Sequence, residues 1–550
     1  MGVPEDIEFE LCIIGAGPAG MILAMEFAKL NPEKSILLLD FGSKNQPIKN
    51  SLDESIIINN PTNHYGPYFC TNKGLGGTSA TWGGRCVMYD EVDFLSRPIL
   101  NEGCTWNKTL FDELTGFVTT AAVYFECGDG DFMLSENNAH SISSIAEGFK
   151  EGHFTDKKIE KWSMPTRFGM RYENEIHEAK NITFLEGWEA RDFIVSQEGA
   201  EVKCLQIRSV QDSQTRNIYA KKFVIAAGAQ ESTRLLLRNR QLFASNDFID
   251  STLGKYYQSH VSGKIASVQF YGNPHKTNYG FLRDANGVYL RRRFQMQTDV
   301  IVQHNLLNAA IWLDNPVYSN PNHKSGSMSL MYLIMLVPFL GKKLAPPAIS
   351  DSITKGGGGK IHQHIWNVLK DFPSSFSTTI SIFIKRYLLG RKLPGVFLYN
   401  KNNIYSLHFH AEQQPLVDNR MELGDDNETL KIFYKISDED VDSVIKTHEL
   451  LDKWLKKIGC GKLTYFYPTN ELKKEILNMS KDGIHQSGTT RIASTNKDGV
   501  VDENLQVFGL NNLFVCSSSV FPVSGQANPT FFLGTFAVRL AHHLTSRNNL

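Results

Sequence analysis

A chain of 550 residues has room for about three to five domain-sized units, or for one large enzyme of two interleaved domains. Hydrophobic residues make up 41% and charged residues 21%, which allows a sizeable core and excludes a disordered tail protein. Lys plus Arg total 57 against 58 Asp plus Glu, a net charge of −1, so no global field draws nucleic acid or an anionic membrane; only a local basic patch would.

The eight Cys are scattered, with no CxxC pair and no cluster, so no zinc or iron–sulfur site is expected. A chain of this size needs no disulfides, and a reducing, cytoplasmic setting is the simplest expectation. The first residues are acidic ahead of the first apolar run, the reverse of a secretory signal, and Asp6 stands where a myristoylation motif needs Ser or Thr.

Phe9 to Ile14 reads as a buried strand, followed by the turn Gly15-Ala-Gly-Pro-Ala-Gly20, an Ala- and Leu-rich helix to Leu30, and a second strand ending at Asp40. This is a βαβ unit with glycines at its first turn. Gly15 allows the tight turn, Gly17 lets a diphosphate approach the backbone, and Gly20 lets helix and strand pack closely. Asp40 stands where a carboxylate binds a ribose hydroxyl pair. Dinucleotide binding is the expectation.

The stretch from Gly74 to Asp93 is rich in glycine and small hydroxyl residues, suited to backbone running close to a flat or phosphorylated ligand. Gly77, Thr78, Ser79, Trp82 and Gly83 are its candidate cofactor contacts. Residues 181–237 read as several strands, the last ending at Gly228, which opens a helix; Ala190 and Gly228 are candidate contacts there.

From His260 to about Phe433, short alternating runs such as KIASVQF and IYSLHFH predict an antiparallel sheet. His408 and His410 alternate in one strand and so share a face. They are read as sheet surface or, with Glu412, as pocket lining; no further ligands suggest a metal. The apolar stretch Leu330 to Leu340 is too short for a bilayer span and is interrupted by Pro338. It is expected to be core or pocket wall, with a surface that dips into a membrane or meets an apolar partner as the alternative. The run Gly356 to Gly359 reads as a mobile surface loop or gate. Asp438 to Ile458 reads as an amphipathic helix.

Near the C-terminus come His485-Gln-Ser-Gly-Thr-Thr-Arg491, Gly499 to Val507, Ser519-Val-Phe-Pro522 and Asn528-Pro-Thr530. With GAGPAG at the front and GGTSATWGG near residue 80, the chain resembles the glucose–methanol–choline (GMC) family of flavin oxidoreductases. Within it, AEQQP (Ala411 to Pro415) and QANPT resemble the bacterial sugar-oxidising branch of pyranose oxidases and glycoside 3-oxidases. The resemblance implies an α/β protein with a Rossmann-like FAD-binding domain (1–105, 180–260 and 475–550). A second, α+β substrate domain (106–179 and 261–474) would be built on an antiparallel sheet.

It also implies FAD as cofactor, with Ser518, Pro529 and Thr530 among its contacts. The expected reaction is oxidation of a secondary alcohol of a sugar, glycoside or cyclitol to a ketone. The alternatives are an amino sugar or other natural-product alcohol, or a non-redox flavin lyase. His485 is the implied general base and Asn528 the group that orients the substrate oxygen. His410 and Glu412 are candidate substrate contacts. The expected partners are a small-molecule alcohol and oxygen or another electron acceptor, with no nucleic acid and no stable membrane insertion.

Two departures from the family pattern stand out. Thr81 occupies the position where members with covalently attached flavin carry His, so the FAD is expected to be non-covalent. Ser517 occupies the position of a favoured Asp, which removes one charge from the FAD linker contact.

Overall fold

The computed structural model describes residues 7–43, 55–101, 104–135, 144–163, 166–196, 200–243, 251–337, 339 and 360–546. Strands Glu8–Ile14 and Ile36–Asp40 run parallel through the middle of a seven-stranded sheet, flanked by Ile182–Glu186 on one side and Thr215–Ile225 on the other. Every residue of Ile36–Asp40 is buried, as an unbroken ILLLD run requires when both sheet faces are covered. Helix Pro18–Leu30 begins on a proline, whose missing N–H costs nothing at the first helical position.

On its edge away from Glu8–Ile14, Thr215–Ile225 serves two partners. Its first half pairs antiparallel with Val202–Ser209, and its last three residues pair parallel with Leu513–Val515. The last turn before the C-terminal helix Pro529–Ser546 is thereby pinned to the same sheet that carries the glycine turn. That helix packs along both Pro18–Leu30 and Val118–Phe125, so closely that a Cβ on Gly534 would meet a Phe125 ring carbon at 2.4 Å and Ile22 Cδ1 at 3.3 Å.

The expected antiparallel sheet has six strands: Gly461–Tyr465, Val261–Phe270, Ile404–Ala411, Ala309–Asp314, Phe294–Met296 and Phe154–Thr155. Helix Asp438–Lys457 packs its Val and Leu face on this sheet's core. Ser437 and Asp440 form a capping box, three acids fill its first turn and two lysines its last, so both ends favour the helix dipole.

The larger apolar core centres on the parallel sheet and also takes Leu110, Leu114 and Phe125 from the 106–179 segment and Leu430 and Ile432 from the middle of the chain. Of the apolar stretch at 330–340, the described part ends helix Gly326–Met335, with Tyr332 and Met335 buried; Pro338 and the Gly356–Gly359 run lie outside the described residues. Among the described residues, no helix is long and apolar enough to cross a membrane.

Candidate active site

A cavity of about 810 Å³ runs from the glycine turn at the first strand to His485 and Asn528. Its glycine end is made by backbone. Gly15 has φ +110°, and a Cβ there would meet the Ala226 carbonyl oxygen at 2.5 Å; a Cβ on Gly20 would meet the Gly15 oxygen at 1.9 Å. Gly17 differs: nothing lies within 4 Å of its missing Cβ, and it faces the cavity. No side chain caps the first turn of the helix that follows, so its N–H groups and positive dipole end are left for an anion.

The second glycine block folds onto the first. Gly76 N–H donates to the Ala16 carbonyl at 2.7 Å, and a Cβ on Gly77 would come within 2.9 Å of Gly17 Cα. Thr78, Ser79, Trp82 and Gly83 line the same cavity, as do Ala190 and Gly228 farther along and Ser518, Pro529 and Thr530 opposite. Gly20 is packed behind the wall. Asp40 reaches the cavity, but its carboxylate accepts three backbone N–H groups, from Ala16 and Gly74 at 2.7 Å and Gly42 at 2.8 Å. Burial raises its pKa despite those donors. Its visible work is to tie the two glycine blocks together.

The other end is made by side chains. The His485 ring sits between Asp482 and Asn528: its Nδ1 lies 3.0 Å from Asp482 Oδ2, and Asn528 Nδ2–H donates to its Nε2 at 2.7 Å. A buried carboxylate facing Nδ1 fixes that nitrogen as the donor and leaves the lone pair on Nε2, toward the cavity. Asn528 Oδ1 is buried and has no hydrogen-bond partner among the described residues.

Two more imidazoles stand behind His485. His260 lies tilted against His410 with ring centroids 4.0 Å apart, and the two centroids lie 5.0 and 5.3 Å from that of His485. The ligand-capable atoms of His260, His410, Asp482 and His485 all lie within 4.8 Å of one another. Their existing bonds account for much of the set. Asp482 Oδ2 also accepts the His260 backbone N–H at 3.1 Å, and His410 Nδ1 meets the Gln526 carbonyl at 2.8 Å.

Burial pushes the His260 and His410 rings toward the neutral form; nearby His485 adds to it at His260, and His260 adds to it at His410. Burial works to raise the Asp482 pKa as well, but His485 and His260 outweigh it and hold the carboxylate well below its usual range. The cluster thus keeps one fixed negative charge behind the His485 ring.

His410 therefore supports His485 from behind and does not line the cavity. His408 lies on the same face of its strand, half-buried against Trp312 at 4.4 Å. Glu412 is fully buried and bidentate to Arg97 at 2.8 and 2.9 Å, and it also accepts the Asn308 N–H, so it holds loops together rather than facing the cavity. Asp482 and His260 were missed from sequence. Asp482 stands three residues before His485, a local acid–His spacing that was readable. His260 reaches the site only through the pairing of Val261–Phe270 with Ile404–Ala411. Ser517, in place of the expected acid, caps a short turn by accepting the Ser519 N–H, and Thr490 and Ser519 hydroxyls meet at 2.6 Å.

Residues 415–537 match the family model described as GMC oxidoreductase. No curated protein matches the chain by sequence. Among solved structures, the fold is similar to pyridoxine 4-oxidase from Mesorbium loti (16% identity, TM-score 0.50, 98% of this chain and 99% of that one). It is also similar to an FAD-dependent oxidoreductase from Chaetomium thermophilum (14%, TM-score 0.53, 99% and 100%). A third similar structure is formate oxidase from Aspergillus oryzae RIB40 (14%, TM-score 0.52, all of both chains).

The residues present fit FAD. Gly17 leaves open space beside an uncapped helix start for the diphosphate, and the cavity continues without interruption to the His485–Asn528 pair. With residues 415–537 matching the GMC oxidoreductase model beside that cradle, the chain is an FAD-dependent oxidoreductase.

Proposed function

We propose that the protein oxidises a CH–OH group of a small-molecule alcohol to C=O, with His485 as the base that takes the hydroxyl proton on Nε2. The observation that carries this reading is the His485 ring fixed by Asp482 on one nitrogen, with the other at the cavity wall beside Asn528, whose Nδ2–H occupies it at 2.7 Å until a substrate oxygen takes that place. FAD, when bound, supplies the hydride acceptor. Asn528 holds the substrate oxygen beside Nε2 by donating its Nδ2–H to that oxygen, which leaves the oxygen's one proton for His485. The Asp482 carboxylate stabilises the imidazolium that forms once the proton has moved. Thr81 lines the cavity where a covalently linked flavin would call for His, which supports FAD held without a covalent bond.

The substrate reading is an oxygen-rich alcohol, with the resemblance pointing to a sugar, glycoside or cyclitol. Arg85 supports it. The side chain lines the cavity on the His485 side, is held through Nε by Glu160, and keeps a buried Nη2 with no hydrogen-bond partner among the described residues. That nitrogen suits a second substrate oxygen, while Trp162 and Pro394 line the same cavity with apolar surface.

The test is anaerobic mixing of the yellow holoprotein with sugars, glycosides, amino sugars and simple alcohols, following flavin absorbance. Bleaching by a polyol or glycoside supports the reading. Bleaching only by alcohols with no second oxygen overturns the substrate class, and no bleaching by any alcohol overturns the redox assignment. Flavin that stays with acid-precipitated protein overturns the non-covalent attachment.

A further inference from the structure

Helices Ile361–Lys370 and Ser374–Phe383 are inside out for a helix pair bathed in water. Both pack on helix Gly326–Met335 through polar groups. Asn367 donates to the Pro321 carbonyl at 2.9 Å, His364 meets the Ser329 hydroxyl at 3.0 Å, and Ser375 is fully buried. Their apolar residues face out. Among the described residues, eleven of the twenty-eight exposed large apolar side chains lie between Ile361 and Leu389. Trp366, Leu369, Phe372 and Leu388 are each more than 60% exposed. A surface helix ordinarily turns this pattern the other way, and a contiguous apolar patch of this kind marks a contact surface.

The charge around the patch says what it contacts. Residues 315–394 hold ten Lys and Arg against two Asp and no Glu, in a chain whose total charge is −1. Lys360, Lys370, Lys385 and Lys392 are exposed, whereas Asp371, the one described acid in this stretch, turns inward to accept the Gly326 N–H at 2.6 Å. Apolar side chains ringed by lysines, on helices too short to span a bilayer, are the pattern of a segment lying in an anionic lipid surface.

We infer that this helical hairpin docks the protein onto an anionic phospholipid membrane by burying its outer face at the headgroup boundary. Where the hairpin rejoins the body of the protein, Arg391 donates to the backbone carbonyls of Trp162 and Glu126, and Trp162 and Pro394 line the active-site cavity. The docked surface is thus mechanically tied to the cavity wall. The inference does not depend on which alcohol is oxidised.

The test is sedimentation of the holoprotein with vesicles of pure phosphatidylcholine and with vesicles of equal parts phosphatidylcholine and phosphatidylglycerol. Binding is expected to the anionic vesicles and to weaken as salt is raised. The triple change Ile365→Ser, Trp366→Ser, Leu369→Ser, and separately Lys370→Glu with Lys385→Glu, should each weaken it by about tenfold or more while flavin absorbance and alcohol oxidation persist. Failure to bind either vesicle overturns the inference, as does binding that both variants leave unchanged. A concentration-dependent dimer that the serine variant abolishes, without vesicle binding, assigns the patch to a second copy of the chain and overturns it as well.

Discussion

The two ends of the cavity are built from different materials. At the glycine end the wall is backbone: Gly15, Gly17 and Gly77 are there because a side chain would fill the space or break the turn, and the helix start supplies N–H groups. At the other end the wall is side chain. His485, Asp482, Asn528, His260 and His410 come from distant parts of the chain and are held in place by one another. A ligand whose phosphates must be gripped can be held by main chain, which has no pKa to tune. Proton transfer needs a titratable group, and such a group needs neighbours that set its tautomer and charge.

The side-chain end should break most sharply. His485→Ala should still fold and bind FAD, because the glycine cradle makes no use of the imidazole. Anaerobic flavin reduction should slow by roughly 10²–10⁴-fold, the usual worth of a positioned base. A variant with normal FAD content and near-normal reduction by stopped flow would remove His485 from the mechanism.

Asp482→Asn comes next, at about 10²-fold in the reduction rate, through loss of the charge that stabilises the imidazolium. It carries a second readout in stability. The folded Asp482 carboxyl titrates well below its unfolded value, so its contribution is full above the unfolded pKa of about 3.9 and is lost as pH falls through the folded value. Urea unfolding should therefore show the variant less stable than the unaltered enzyme at neutral pH, with the gap closing below about pH 4. A gap that stays constant with pH would mean that the carboxylate charge contributes nothing there.

What was readable in the sequence follows the same division. A backbone-made site must write itself as glycines at fixed spacing beside a strand and a helix, so the cradle and its second block were legible from residues alone. His485 and Asn528 were legible only through their surrounding motifs. His260 was not, because its place beside His410 depends on strand pairing across some 150 residues of chain. For Glu412 the sequence leaves sheet surface and pocket lining both open, since it cannot reveal that Arg97 waits for it across the core. The outward apolar face of the 361–389 hairpin was hidden for the opposite reason: its period looks helical, and periodicity does not say which side meets water.

The glycine end should break more gently and without loss of fold. Gly17 has φ −73° and open space at its Cβ, so Gly17→Ala should fold with unchanged or slightly raised Tm. Its methyl group would project where the diphosphate belongs, and FAD affinity should fall by about tenfold, measured by flavin fluorescence on titration into apoprotein. Gly20→Ala, whose Cβ would sit 1.9 Å from the Gly15 oxygen, should fail to accumulate as folded protein. Equal behaviour of the two variants would mean that the cradle is only a tight turn.

Asn528 should show the smallest effect, and it sharpens the comparison because it stands where the two ends meet. It is the residue before Pro529, which starts the C-terminal helix on the cavity wall, and its amide faces His485 Nε2. If it orients the substrate oxygen, Asn528→Ala keeps the base but loses the alignment, and reduction should slow by about tenfold or less, below the loss from His485→Ala. Asn528→His restores a hydrogen-bonding group at the same place and should recover part of that rate. The loss should also fall mainly on the reduction rate at saturating alcohol rather than on KM, because the alignment matters most as the proton leaves. If Asn528 serves only to shape the turn before Pro529, both variants should lower Tm and FAD content together and leave the reduction rate of the remaining holoenzyme unchanged, and the orienting role falls.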